Sequence, residues 1–147
     1  MPGLGDFARR MSRLAEEMER GVERTKRQVA LVADRELVMA TPVDTGRARS
    51  NWIVSTIAPA PGAKGPYSPG SNLGLGESAN AQAALAQGQA AISSSKPGQS
   101  IFITNNVSYI GRLNDNWSAQ APAGFVEAAV LRAAGVVRSS RVLRRGN

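Results

Sequence analysis

Cysteine and histidine are both missing from the 147 residues of this chain. Without them there is no disulfide, no thiolate nucleophile, no zinc site of the usual Cys/His kind and no Ser-His-Asp triad. Aromatic residues are scarce at 5%, so a core has to be assembled mainly from Val, Ile, Leu, Met and Ala. No run of about 18 apolar residues occurs, so no membrane helix and no membrane partner is expected. The start, Met1-Pro2-Gly3-Leu4-Gly5-Asp6, turns charged without an apolar stretch and is not expected to serve as a secretory signal.

What is present suits one globular domain over residues 1–147. Apolar residues make up 42% of the chain, an ordinary value for a packed domain. The net charge of +7 is unevenly spread. Residues 1–50 carry ten Lys/Arg against eight Asp/Glu, and residues 51–126 carry three against two. Residues 127–147 hold Arg132, Arg138, Arg141, Arg144 and Arg145 against Glu127 alone. Residues 132–147 therefore read as a basic C-terminal tail, able to meet phosphates or an acidic partner, or simply a solvated helix end.

Residues 4–40 read as one long amphipathic helix. Phe7, Met11, Leu14, Met18, Val22, Val29 and Val32, with Thr25 in the gap, step by threes and fours and keep one stripe on one face. Glu16 with Arg20 and Glu23 with Arg27 are i,i+4 pairs in the favourable order. At about 1.5 Å per residue the helix would be on the order of 50 Å long. That is long for so small a domain, so it either bends at Gly21 or projects beyond its own core onto a neighbouring subunit. Pro42 disfavours a helical Thr41 and should end it there.

A turn follows at Thr41-Pro42-Val43-Asp44-Thr45-Gly46-Arg47, in which Asp and Thr can bond nearby amides and Gly46 can take a positive φ. Ala48 to Ala58 reads as a strand with Trp52, Val54 and Thr56 on one face. Residues 59–95 form an insert: an exposed Gly/Pro/Ser-rich loop to residue 76, then an Ala/Gln-rich helix over 77–92 weakened by Gly88. Ser100 to Asn105 is a second strand, and Val107 to Leu113 a short helix or turn broken by Asn114-Asp115-Asn116. Pro122 suits the first turn of a last helix carrying Phe125, Val126, Ala129, Val130, Ala133 and Val137. The expected fold is α+β: a long N-terminal amphipathic helix, a small antiparallel or mixed sheet, and a C-terminal helix packed on the sheet.

Residues able to carry chemistry are few. Asp44 beside Thr45 has no His, Cys or second carboxylate at a useful spacing, so a turn-stabilising role is favoured over a general base. Glu77 and Asp115 stand alone. The Gly-rich stretch 62–76 lacks the GxxxxGK[ST] phosphate-loop pattern and makes no dinucleotide fingerprint. No catalytic residue, metal ligand or cofactor is expected. Nucleic-acid binding is the stronger rival, given a sequence pI of about 11.0 and arginine clusters able to contact phosphates. Against it, Glu16, Glu17, Glu19 and Glu23 balance the basic residues of the long helix, and the strands lack basic-aromatic alternation.

The segment Thr41 to Trp52, TPVDTGRARSNW, closely resembles the signature of the gene-product-ten-like tail-component family of long-tailed bacteriophages. That family shows a long N-terminal helix and then an (A/S)PVDTGxLRxS turn running into a strand. Further on come a strand ending in xNxxxYaxxlExG and a PaxPFlxpAl lead into a C-terminal helix. Here those places are filled by Ile103 to Asn114, including Asn105 and Tyr109, and by Gln120 to Val130, including Phe125. The order and spacing match over most of the chain. There are departures: Asn114-Asp115-Asn116 replaces the acidic-plus-Gly step, Ala123-Gly124-Phe125 replaces the Pro-Phe pair, and the 59–95 insert is longer.

The resemblance implies a non-enzymatic structural protein of the virion, assembled in the bacterial host cytoplasm, in the neck or at the top of the tail. Copies would close into a ring, a hexamer, that completes the tail and joins it to the head. Its partners would be a head-side connector or stopper protein and a tail terminator or tail tube protein. The motif residues Pro42, Val43, Asp44, Thr45, Gly46, Arg49, Trp52, Asn105, Tyr109 and Phe125 would be architectural. Asp44, Thr45 and Gly46 would set the angle between helix and strand, while Trp52, Phe102, Tyr109 and Phe125 would close the core. Arg138, Arg141, Arg144 and Arg145 would meet DNA in the lumen or an acidic partner. The alternative is a non-specific DNA-binding accessory protein with a basic C-terminal tail.

Overall fold

Helix α1 runs unbroken from Leu4 to Ala40, as the periodicity of its apolar residues requires, with no bend needed at Gly21. This is a computed structural model, and it describes residues 3–42, 46–68, 77–115 and 123–140. The Asp6 carboxylate accepts the Gly3 N–H and bridges to Arg9, which favours the helix start. At the other end Thr41 is extended, with φ −67° and ψ 127°, as a residue before proline prefers.

The remaining elements are α2 (Arg47–Ser50), β1 (Ile53–Ser55), α3 (Glu77–Ser93), β2 (Phe102–Thr104), α4 (Ile110–Asn114) and α5 (Phe125–Ser139). β1 and β2 pair antiparallel, with Ile53 opposite Thr104, Val54 opposite Ile103 and Ser55 opposite Phe102. The fold is α+β, with the long helix first, the small sheet in the middle and the C-terminal helix closing the core. α1 packs against both α5 and α3, and α3 lies on β1.

A two-stranded ribbon is marginal by itself and needs cover. One core gathers Leu37 and Val38 of α1, Trp52, Ala81 and Ala84 of α3, and Phe125 and Ala129 of α5, with Ile103 of β2 packed against it. A second core joins Ala30, Val54 and Ile92. The outer edge of β1 is closed by a side chain: the Gln87 amide accepts the Val54 N–H at 3.1 Å and donates to the Val54 carbonyl at 2.8 Å.

Three expectations are corrected here. The strand expected from Ala48 is shorter, because residues 47–50 form a helical turn and only 53–55 pair as strand. Trp52 and Val54 are nevertheless both buried, as the alternation required. Phe102 and Tyr109 are half-buried rather than core aromatics, so among the described residues the aromatic closure falls to Trp52 and Phe125. Glu23 bridges to Lys26 at 2.7 Å, whereas Arg27 reaches out of its helix to the Ser95 carbonyl at 2.7 Å.

That last exchange has a cause. The turn after α3 brings unpaired backbone groups against α1, and they capture its charges. Lys26 donates to the Gln99 carbonyl at 2.7 Å, and Gly98 N–H donates to the Glu23 carboxylate at 3.0 Å. Held first by the Lys26 hydrogen bond and then by Gly98, the Glu23 carboxyl titrates below its ordinary range. Asn114 at the end of α4 binds α5 in a similar way. Its side-chain oxygen accepts the Val126 N–H at 2.9 Å, its carbonyl accepts Gly124 N–H at 2.7 Å, and its amide donates to Glu127.

Candidate functional site

Two features stand out from the fold: a polar corner built by Thr41 and residues 46–52, and a long apolar face that the chain leaves uncovered.

The corner starts from the last carbonyls of α1, which have no intrahelical partner. Arg49, buried on α2, donates to the Thr41 carbonyl at 2.9 Å and to the Met39 carbonyl at 3.2 Å. A cation is well placed at a helix C-terminus, where the carbonyls concentrate negative potential. Thr41 donates its hydroxyl to the Leu37 carbonyl and accepts the Trp52 indole N–H at 2.7 Å. Trp52 is thereby fixed in the core by the same residue that ends the helix. Replacing Thr41 with valine keeps the shape and strands the indole N–H. Denaturant unfolding should register a loss of roughly 1–3 kcal/mol, the cost of a buried unpaired donor.

Gly46 begins α2 with φ 83°, a left-handed conformation that L side chains rarely adopt. It must be glycine for a second reason, since a Cβ here would overlap the Asn80 side chain. Asn80 on α3 is fully buried and acts as a backbone mimic. Its oxygen accepts the Ser50 hydroxyl at 2.9 Å and the Ser68 N–H at 2.7 Å, and its amide donates to the Ser68 carbonyl at 2.8 Å. Asn51 does the same for Lys64, donating to its carbonyl and accepting its N–H, both at 2.8 Å. The Lys64 ammonium sits 3.6 Å from the centre of the Tyr67 ring. The loop over 64–68 is thus pinned to the corner by two asparagines. Asn105, at the exit of β2, donates to the Ala48 carbonyl at 2.8 Å and accepts the Val107 N–H at 3.1 Å.

Of the residues singled out from sequence, Arg49 and Trp52 meet at Thr41, Gly46 opens α2 against Asn80, Asn105 holds the Ala48 carbonyl, and Pro42 is buried. Phe125 joins Trp52 in the same core. Tyr109 stands apart, half-buried just before α4. Val43, Asp44 and Thr45 lie outside the described residues, as do Arg141, Arg144 and Arg145. Arg138 is exposed on the last turn of α5. Arg132 is less available than the tail reading implied, because it bridges to Glu36 of α1 at 2.7 Å.

The bonding roles of Ser50, Asn51, Asn80 and Asn114 escaped sequence reasoning. The signal for Asn80 was there: it shares the face of Ala81, Ala84, Gly88 and Ile92, where a polar side chain needs an explanation. Asp34 was missed in the same way. It is buried on α1 against Gly88 and beside Val54, one of its oxygens has no hydrogen-bond partner, and burial raises its carboxyl to about 7. Its neighbours Ala30, Leu37 and Val38 share its face at helical spacing.

The uncovered face is the first half of the α1 stripe. Phe7 is 63% exposed, Met11 48% and Met18 46%, and Leu4, Leu14 and Val22 are exposed as well. Further along the same line Val29 and Val32 are half-buried. Among the described residues no group of His, Cys, Asp or Glu gathers to hold a metal ion, and no helix is long and apolar enough to cross a membrane. The arrangement locks backbone geometry at the corner and presents helix surface beyond it. No family model, curated protein or solved structure matches this chain.

Proposed function

We propose that this chain is a structural protein of a tailed bacteriophage particle, forming a ring at the neck or top of the tail that completes the tail and joins it to the head. The observation that carries this reading is the TPVDTGRARSNW corner. Gly46, Arg49 and Trp52 each have a distinct mechanical task there: Arg49 and Trp52 both bind Thr41 at the end of α1, and Gly46 seats α2 against Asn80. Such a joint sets the angle at which a long helix leaves a small domain, which is a requirement of subunits that must meet neighbours at a set rotation. The exposed half of α1 offers surface of the kind that assembly covers. The arginines at the C-terminus would meet DNA in the lumen or an acidic neighbouring protein.

The test is to image intact particles by electron cryo-microscopy and look for a ring of this chain at the head–tail junction, with a head-side connector or stopper on one side and the tail on the other. Its absence from particles would overturn the proposal. Neutral replacements of Arg141, Arg144 and Arg145 should lower infectious yield, measured by plaque titre, and a wild-type titre would remove the role given to the tail. The second reading, a DNA-binding accessory protein, draws on the net charge of +7. It requires duplex binding by the free protein that weakens steeply with salt.

A further inference from the structure

The exposed stripe on α1 is a heptad seam. Leu4, Phe7, Met11, Leu14 and Met18 occupy alternating a and d positions, spaced three and four apart along a continuous helix. All five are exposed, so the chain's own core does not use them. A seam of this length takes another helix, and the charges beside it say which helix and in which direction.

If two copies of α1 pair antiparallel with Met11 opposite Leu14, Phe7 falls opposite Met18, and the four layers so formed each join two large apolar side chains. The positions that flank the seam on one side are Arg10 and Glu17. In this register Arg10 of each copy faces Glu17 of the other, giving two opposite-charge pairs across the seam. On the opposite flank Ala8 faces Ala15, small residues that let the helices approach closely. A parallel pair matches Met11 to Met11 and sets Arg10 against Ala15 and Glu17 against Val22, with no charge pair at all. We infer that a second copy of this chain covers the stripe, the two α1 helices pairing antiparallel through Phe7 to Met18 about a two-fold axis.

This contact is isologous, so it differs from the head-to-tail contact that closes a ring. It describes the free protein, independently of the ring proposed above: the apolar stripe is held covered until a different neighbour replaces the second copy. The absence of native cysteine makes a clean test. Single variants M11C and L14C alter exposed positions only. Oxidised as a mixture, they should give mostly the Met11→Cys to Leu14→Cys cross-link, with little homodimer from either alone. Light scattering of the unmodified chain should report a dimer. E17R should weaken it several-fold by facing arginine with arginine, and the double variant R10E/E17R should restore it. A monomer at all concentrations, dominant self-cross-linking of M11C, or an E17R dimer as tight as the parent would each overturn the inference. None of these outcomes depends on whether the chain is found in particles.

Discussion

Replacing Asp34 with asparagine is expected to remove most of the pH dependence of stability between pH 4 and 8. The buried carboxyl titrates near 7 in the folded chain against 3.8 as its ordinary value, because burial disfavours its charge. Below the lower value it is protonated in both states and costs nothing extra. Between the two, unfolding releases a proton that the folded state keeps, so stability falls as pH rises; above about 7 the loss levels off. A separation of this size corresponds to roughly 4 kcal/mol, lost by the parent chain across that window. An asparagine side chain has the shape of the protonated carboxyl and cannot ionise. The Asp34→Asn variant should therefore match the parent at pH 4 and exceed it by pH 8 in urea unfolding. Parallel curves for the two proteins would show that Asp34 keeps its ordinary titration.

Gly46→Ala should be the most damaging single-methyl change in the corner. A non-glycine residue held at φ 83° carries a conformational penalty of about 1–2 kcal/mol. The added Cβ would also displace Asn80, whose side chain holds Ser50 and both backbone groups of Ser68. Breaking that buried set costs about 1–3 kcal/mol for each group left without a partner. The expected total is on the order of 4 kcal/mol, seen as a lowered urea midpoint. Limited proteolysis adds a local check, since cleavage in 64–68 should accelerate. A variant as stable as the parent, with the loop still protected, would mean that Asn80 can move aside without loss.

Much of this fold was legible because periodicity reports a face directly. Phe7 to Val32 announced α1, the Ala/Gln stretch announced α3, and Phe102 to Thr104 lay inside the strand expected over 100–105. What periodicity cannot report is the partner of a face. Phe7 and Val29 follow the same spacing, yet one is exposed and the other half-buried, because only the second lies along the part of α1 that the domain covers. The α2 turn was hidden for a different reason. Arg47 to Ser50 is helical through contacts made at a distance, Arg49 to the end of α1 and Ser50 to Asn80, and no local pattern encodes those. Gly88 reads in the sequence as a weakness in its helix, whereas its missing side chain is what lets Asp34 come in against α3.

The Gln87 clasp on β1 has a consequence for how copies can meet. An open strand edge invites another strand, and small sheets often grow, or aggregate, by that route. Here both backbone groups of Val54 on the outer side of β1 are already taken by one amide from α3. An incoming strand would have to evict Gln87 and lift α3 off the sheet before its first ladder bond could form. On that side the protein is sealed against strand exchange by a single side chain.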